Sequence, residues 1–350
     1  MYRVAIIGQS LSAQIAALAC QASGFQDISR FYGEQNHDPQ PTIHCLGANA
    51  SRLLRALAPD ALEQAGFKPD RYQIRFGKSA YLLAELPLGE FYLQRYGAPL
   101  VNFAVPTLAA YLEEQLSAPV AAATGLNEIE ASHELSVLTT PESAPTLQHE
   151  DASFLIYHAR LPDHPLRKAN VLWRGDGQYV EQLSDQTSVH FRFVTRADRA
   201  FEPKQWHHSL QPALAAKEAV GGVAAQTYAA SDRLFAGRVA LLHSAIAPQL
   251  APRVDAANTA LEDAWVLSRM MENYEEDIGD GLAAFERFRR PRHRRVALHM
   301  RDYLFRFTEP LLHKRALQHV GMGLQSRLLP ELALAQQDWL YEHDVIKGFR

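Results

Sequence analysis

The first twenty-two residues constrain the fold more than any other part of the chain. Residues Val4 to Ile7 are apolar and mostly β-branched, which predicts a buried strand that ends at Gly8. Apolar residues then recur at helical spacing at Leu11, Ile15, Leu18 and Ala22. A strand that passes through a tight turn into a helix is typical of the opening unit of an α/β sheet.

The turn itself, "GQSLSA", has small residues at Gly8, Ser10 and Ala13. These are the positions of the dinucleotide fingerprint, in which they serve the turn, the approach to a pyrophosphate and helix packing. Small residues in such a turn also serve packing alone. The fingerprint further predicts an acidic ribose ligand after the second strand, where Glu34 is either that ligand or an ordinary loop carboxylate.

A second unit of strand, loop and helix follows in "RVALLHSAIAPQLAPRVDAANTALEDAW", from Arg238 to Trp265. The strand is predicted at Val239 to Leu242, with His243 and Ser244 at its end. The helix is predicted from Asn258 onward, with one apolar face formed by Leu261, Ala264, Leu267 and Met271. A loop between a strand end and a helix N-terminus is a usual place for a ligand.

Composition limits the classes of function. The 350 residues suggest one large domain or two interlocked ones, and the net charge of −4 argues against nucleic-acid binding. The basic run "RFRRPRHRR" from Arg287 to Arg295 favours a solvated helix end or a structural ion-pair cluster over a nucleic-acid or lipid patch.

The sequence also gives expectations about cellular location, membrane insertion and metal binding. Cys20 and Cys45 provide neither a disulfide framework nor a thiolate cluster, so we expect a reduced, cytoplasmic setting and no metal site. The chain opens on a strand without the features of a signal peptide, and no transmembrane segment is predicted. The pair His207 and His208 is not expected to bind a metal, because adjacent side chains point apart on a strand or a helix.

Several segments, in order, resemble the class A flavoprotein aromatic hydroxylases, including the salicylate-hydroxylase-like and ubiquinone-pathway branches. They are "VAIIGQSLSAQIAALACQASGF", "IHCLGANASRLLRALAPDALEQAG", "RVALL" with "AANTALEDAWVLSRMM", "AFERFRRPRHRRV" and "DWLYEHD". The resemblance spans nearly the whole chain. It implies an α/β fold like that of para-hydroxybenzoate hydroxylase: a Rossmann-like FAD-binding domain interleaved with a mixed β-sheet substrate domain, followed by C-terminal helices.

The same resemblance exposes departures at the flavin contacts. Ser244 stands where the family has an Asp that binds the ribityl chain, and "APRVDAAN" replaces a glycine-rich loop. The family motif Gly-Ala-Asp-Gly corresponds to "YHARLPDHPLR" from Tyr157, and a family Arg falls at Val105. If FAD is bound, the cofactor-binding residues implied are Gly8, Ser10, Ala13, Glu34, Ser244, Asp255 and Asn258.

These departures favour a divergent protein that has lost conventional FAD binding and hydroxylase activity. It would bind a small aromatic or apolar ligand, act without a cofactor, or serve as a partner protein. The candidate catalytic residues are His243, Ser244 and His158, with Arg160, Arg253 and Asp255 as further polar groups. The alternative is an active FAD- and NAD(P)H-dependent aromatic-ring monooxygenase with substituted cofactor contacts, NAD(P)H being required only if FAD is retained. A homodimer or protein partner is left open by the apolar C-terminal segment.

The resemblance also divides the chain. Residues 1–70, 100–160 and 232–290 are assigned to the dinucleotide-binding domain, 71–99 and 161–231 to a reduced substrate-type sheet domain, and 291–350 to a C-terminal helical segment. In that last segment Leu304, Phe305, Phe307, Leu311, Leu312 and Leu317, around Pro310, predict amphipathic helices that pack on the rest of the protein.

Overall fold

The computed structural model describes residues 2–32, 42–121, 125–139, 149–150, 154–199, 201–224, 227–228, 233–242, 256–308 and 330–349. Strands and helices mix throughout these ranges. The strands are β1 (Val4–Ile7), β2 (Ile28–Phe31), β3 (Ile43–Leu46), β4 (Gly66–Phe67), β5 (Arg71–Phe76), β6 (Leu82–Pro87), β7 (Val101–Ala104), β8 (Val120–Ala121), β9 (Leu135–Leu138), β10 (His149–Glu150), β11 (Phe154–Leu161), β12 (Ala169–Arg174), β13 (Gln178–Ser184), β14 (Val189–Arg196), β15 (Glu218–Ala224), β16 (Thr227–Tyr228), β17 (Phe235–Ala236) and β18 (Val239–Leu241).

The helices are α1 (Leu11–Ala22), α2 (Ala48–Leu57), α3 (Ala61–Gln64), α4 (Gly89–Tyr96), α5 (Val105–Gln115), α6 (Leu126–Ser132), α7 (Gln211–Ala215), α8 (Ala256–Asn273), α9 (Ile278–Thr308), α10 (Pro330–Ala335) and α11 (Asp338–Tyr341). The predicted α/β class, with mixed sheets and C-terminal helices, is confirmed. Within the described ranges, no helix is long and apolar enough to cross a membrane.

A six-stranded sheet in the order β17-β18-β9-β1-β2-β8 holds both units predicted from the sequence. Strand β1 pairs in parallel with β2 and β9, and β18 continues the parallel set on the far side of β9. Helix α1 packs on this sheet and α8 packs on α1. The predicted apolar face of α8 is buried, as are Leu11, Ile15 and Leu18 of α1. Ala22, predicted on that face of α1, is exposed at the end of the helix.

The second large sheet has the order β15-β11-β14-β13-β12-β5-β6 and is mixed, with only the β5–β12 pair parallel. Its two faces belong to different cores. One face, with Trp173, Phe191 and Phe193, packs on the segment from 201 to 214. The other, with Leu172 and Val194, packs on α9. Segment 154–160, assigned from the sequence to the dinucleotide-binding part, forms strand β11 of this sheet. The other domain boundaries stay a prediction.

A three-stranded sheet, β3-β7-β4, joins the two large ones. On β7, the buried amide of Asn102 exchanges hydrogen bonds with the amide of Asn170 on β12, with N···O distances of 2.7 and 3.1 Å. Each amide thereby gains a partner for one donor and for its acceptor, because a buried polar group without a partner would destabilise the fold. The exchange attaches β12 of the seven-stranded sheet to β7 of the three-stranded sheet.

The basic run lies on α9, and its buried members Arg289, Arg292 and His293 form an internal ion-pair cluster. Arg289 contacts Glu262 and Asp263 of α8 at 2.7 and 2.6 Å, and all three side chains are fully buried. Arg292 also contacts Glu262, at 2.8 Å, whereas Arg287 faces solvent. The predicted structural ion-pair cluster is therefore confirmed at Arg289 and Arg292.

The C-terminal residues close over this cluster. Arg292 donates to the carbonyl oxygens of Trp339 and Leu340, and Asp338 pairs with Arg95 of α4. Leu304 and Phe307 are buried against the seven-stranded sheet, which confirms the predicted packing for those two residues. Leu311, Leu312 and Leu317 and the side chain of Phe305 lie outside what the structure describes.

Candidate functional site

The first part of the site is the groove at the carboxyl ends of β9, β1 and β2. Gly8 lies there with φ of +133°, a conformation that L-residues with a side chain rarely adopt. Its backbone N–H donates to the carbonyl of Phe31 at the end of β2. The predicted tight turn thus has the backbone geometry for which a glycine is required.

Ser10 stands at the N-terminus of α1 without capping it. Its side chain makes no cap hydrogen bond, and its hydroxyl instead lies 3.3 Å from that of Thr139, at the end of β9. The first turn of α1 carries no acidic residue, and within the described chain the backbone N–H groups of Leu11 and Ser12 have no acceptor. Uncapped amides and the helix dipole favour an anion at this point. Ala13 is buried and packs in the core, as the fingerprint's third position requires.

Asn258 lies in the first turn of α8, and its amide is fully used inside the protein. It accepts the backbone N–H of Gly47 at 2.7 Å and donates to the carbonyl of Cys45 at 3.1 Å. These bonds attach the start of α2 to the start of α8. In this structure Asn258 therefore positions the two helices that border the groove.

The second part of the site is the face of the seven-stranded sheet that turns toward α9 and β3. The register places five residues in one row across neighbouring strands: Ile74, Leu172, Glu181, Arg192 and His158. The apolar half of this row is part of the core, whereas the other half is charged or titratable. Glu181 and Arg192 form an ion pair, and the Glu181 side chain is only 6% exposed. Glu181, Arg192 and His158 thus form a polar wall beside the apolar side chains of Ile74 and Leu172.

His158 is half-buried at the end of this row. Burial, reinforced by the positive charge of Arg192, lowers the pKa of the His158 imidazole to about 4. The ring is therefore neutral at physiological pH, and within the described residues no group of the chain hydrogen-bonds to it. A neutral imidazole can accept a hydrogen bond at one ring nitrogen and donate one from the other to a ligand.

Most of the remaining predicted residues lie outside the described part of the chain. His243, Ser244, Arg253, Asp255 and Glu34 lie outside the described residues. Arg160 is exposed, two residues beyond His158 on the same face of β11. Val105 is the first residue of α5 and follows β7 directly.

The prediction that the side chains of His207 and His208 point apart is wrong. Their ring centroids lie 3.9 Å apart, because His207 is extended while His208 begins a short 3₁₀ turn. Nδ1 of His207 accepts the backbone N–H of Ser209. Among the described residues, no cluster of three or more His, Cys, Asp or Glu side chains could hold a metal ion.

Glu181 and Arg192 were not predicted from the sequence as site residues. The signal was present in "VHFRFVTR", where His190 and Arg192 alternate with Val189, Phe191 and Phe193. That alternation predicts a strand with one polar face between two layers. Their partners across the sheet depend on register over long sequence separations, which local pattern does not specify.

Comparisons with known proteins find similar chains over nearly the full length of this one. The chain is 26% identical to 3-amino-4-hydroxybenzoate 2-monooxygenase PtmB3 of Streptomyces platensis, over 93% of each chain. A variant of HpxO from Klebsiella pneumoniae, complexed with FAD, superposes with a TM-score of 0.80 at 16% identity, covering 97% of this chain and 98% of the other. A salicylate hydroxylase in complex with substrate superposes with a TM-score of 0.71 at 15% identity, covering 98% and 96%. No protein-family model matches the chain.

The chain has the fold of the class A flavoprotein aromatic hydroxylases. The resemblance predicted from the sequence is thus confirmed, and it extends over nearly the full length of the solved neighbours.

The β1–α1 turn fits the pyrophosphate of FAD, the cofactor of these hydroxylases. Gly8 brings the backbone close, the amides at the start of α1 face the groove, and no acidic side chain in the first turn would repel the phosphates. Of the positions predicted to contact the flavin end of the cofactor, Ser244 and Asp255 lie outside the described residues, whereas Asn258 is described and hydrogen-bonds within the protein. The described part of the groove is therefore compatible with the cofactor.

Proposed function

We propose that this chain is an FAD- and NAD(P)H-dependent monooxygenase that hydroxylates an aromatic ring bearing a hydroxyl and a carboxylate. This is the alternative predicted from the sequence, and the relatives favour it over a protein without cofactor. The observation that carries it is the uncapped start of α1 beside Gly8, which suits a pyrophosphate.

The substrate class follows from the polar wall and from the relatives. The protein similar to this chain over 93% of its length is named for a hydroxybenzoate, and a solved neighbour for salicylate. Both names describe an aromatic ring with a carboxylate and a hydroxyl. In this chain, Arg192 offers a cation for the carboxylate and neutral His158 a partner for the hydroxyl.

The division of roles follows from this arrangement. FAD, when bound, supplies the redox chemistry that activates dioxygen. The neutral ring of His158 accepts a hydrogen bond from the substrate hydroxyl, which makes the aromatic ring richer in electrons and easier to hydroxylate. Arg192, held by Glu181, orients the ring, and the apolar residues Leu172 and Ile74 exclude water from it.

The test is the absorption spectrum of the purified protein, alone and after addition of FAD, followed by NADH and NADPH oxidation with 3-amino-4-hydroxybenzoate and with salicylate. A bound flavin, and reductant oxidation that depends on the aromatic acid and yields a hydroxylated product, would support the proposal. A colourless protein that fails to retain added FAD would refute it and support the cofactor-free function instead.

A further inference from the structure

A hydroxyl, an imidazole and a carboxylate form a hydrogen-bonded chain at the junction of the two halves of the protein. Oγ1 of Thr42, which directly precedes β3, lies 3.0 Å from Nδ1 of His190 on β14. Nε2 of His190 lies 2.7 Å from Oδ2 of Asp185, in the turn between β13 and β14. The row of the sheet that carries His190 is the next one to the row of His158 and Arg192.

Asp185 is held in one orientation. Its Oδ1 accepts the backbone N–H groups of Thr187 and Ser188, each at 2.6 Å, and the hydroxyl of Thr187 at 3.0 Å. Burial acts to raise the pKa of Asp185, but the hydrogen bonds from His190 and from the two amides outweigh it and lower the pKa. The ionised carboxylate therefore keeps Oδ2 directed at His190.

These contacts fix the tautomer of His190. An ionised carboxylate only accepts hydrogen bonds, so the proton of the neutral ring lies on Nε2, and Nδ1 presents its lone pair to Thr42. Burial lowers the pKa of His190 against the opposing effect of Asp185, which favours the neutral ring that a general base requires. Hydroxyl, base and orienting carboxylate then stand in the order that activates a nucleophile.

The exposure of Thr42 and the positive charge of Arg160 also favour reaction at this hydrogen-bonded chain. Thr42 is exposed, whereas the side chains of His190 and Asp185 are 6% and 5% exposed. Arg160 pairs with His190 across β11 and β14, and its Nε donates to the hydroxyl of Ser188 at 2.9 Å. The guanidinium therefore lies on the same face of the sheet as the imidazole, where it can stabilise a developing oxyanion.

We propose that Thr42 is an activated nucleophile that accepts the acyl group of aryl esters, an activity separate from the flavin chemistry. His190 Nδ1 takes the proton of Thr42 Oγ1 as this oxygen bonds to the ester carbonyl carbon. The bond from that carbon to the aryl oxygen then breaks, and the proton passes to the departing phenolate. A water molecule, deprotonated by the same nitrogen, releases the acyl group as a carboxylic acid and restores the hydroxyl.

The experiment treats the full chain with p-nitrophenyl acetate and follows p-nitrophenolate release together with the intact mass. We expect an initial burst, one added acetyl group per chain, and a labelled peptide that contains Thr42. Thr42→Val, which keeps the size and the backbone bond from Val105 to the carbonyl of residue 42, should remove the burst. His190→Gln should slow acetylation by roughly a hundredfold, the lower range for loss of a general base.

Two further variants make the result decisive. Thr42→Ser should retain the burst, and Thr107→Val, at an exposed threonine of α5, should leave it unchanged. Should His190→Gln fail to fold, the Val and Ser variants at Thr42 still decide the matter. Acetylation that maps to lysine side chains, or that persists in Thr42→Val, would overturn the proposal.

Discussion

Arg289 Nη2 lies 2.7 Å from Glu262 Oε2 inside the protein, and neither side chain is reached by solvent. Since Arg289 also contacts Asp263, and Glu262 also contacts Arg292, the pair is part of a cluster that ties α8 to α9. Asn49 adds a hydrogen bond to Glu262 from α2, at 2.7 Å. Helices from both sides of the groove therefore meet on one carboxylate.

Removal of Arg289 should destabilise the protein strongly. In Arg289→Gln the carboxylates of Glu262 and Asp263 lose part of their compensation while remaining buried, which costs about 3–5 kcal/mol in comparable cases. Urea unfolding followed by circular dichroism measures the change. The matched control is Arg287→Gln, two residues earlier on α9 and exposed, for which we expect a change within about 0.5 kcal/mol. Equal effects of the two variants would contradict the structural role of the cluster.

The stability of the cluster should persist to low pH. Burial acts to raise the pKa of Glu262, but Arg292 and Arg289 outweigh it and lower the pKa to about 2. Because the folded pKa lies below the ordinary value of 4.5, this contribution is present above pH 4.5 and is lost as the pH falls toward 2. In Glu262→Gln the free energy of unfolding should therefore depend less steeply on pH in that window. A slope identical to that of the parent chain would show that Glu262 is not ionised against the arginines.

His158 should make the stability of the fold depend on pH over a separate, higher range. Its folded pKa of about 4 lies below the ordinary 6.5, so its stabilising contribution is present above pH 6.5 and declines as the pH falls to 4. His158→Gln should flatten the melting temperature against pH in that interval. The comparison is His133→Gln, since His133 is also half-buried but follows α6 and packs against Phe31 of the other large sheet. A curve unchanged by His158→Gln would mean that the imidazole is not desolvated.

The local units of this fold were predictable, whereas the long-range ones were not. The first strand, Gly8, the first helix and the face of α8 follow from periodicity and from a backbone conformation that favours glycine. The row of Glu181, Arg192 and His158 depends on the register of three strands, and the partner of each residue is set by pairing rather than by neighbours in sequence. The resemblance predicted cofactor contacts at the β1–α1 turn, which stay a prediction, and it named His158 without Arg192.

The start of α1 offers the sharpest test of cofactor binding. Ser10→Asp places a carboxylate at a helix N-terminus, where it can accept amide hydrogen bonds and stabilise the fold by about 0.5–1 kcal/mol. The same charge would face the pyrophosphate, so we expect FAD affinity to fall at least about tenfold, which corresponds to 1.4 kcal/mol. Thermal unfolding and flavin titration measure the two effects. Ser10→Asn, a neutral residue that also caps helices, should gain stability while losing less affinity. If the affinity of the Asp variant for FAD equals that of the Asn variant, the phosphates do not lie at the start of α1. The opposite signs of the two effects separate a cofactor site from a turn that serves packing alone.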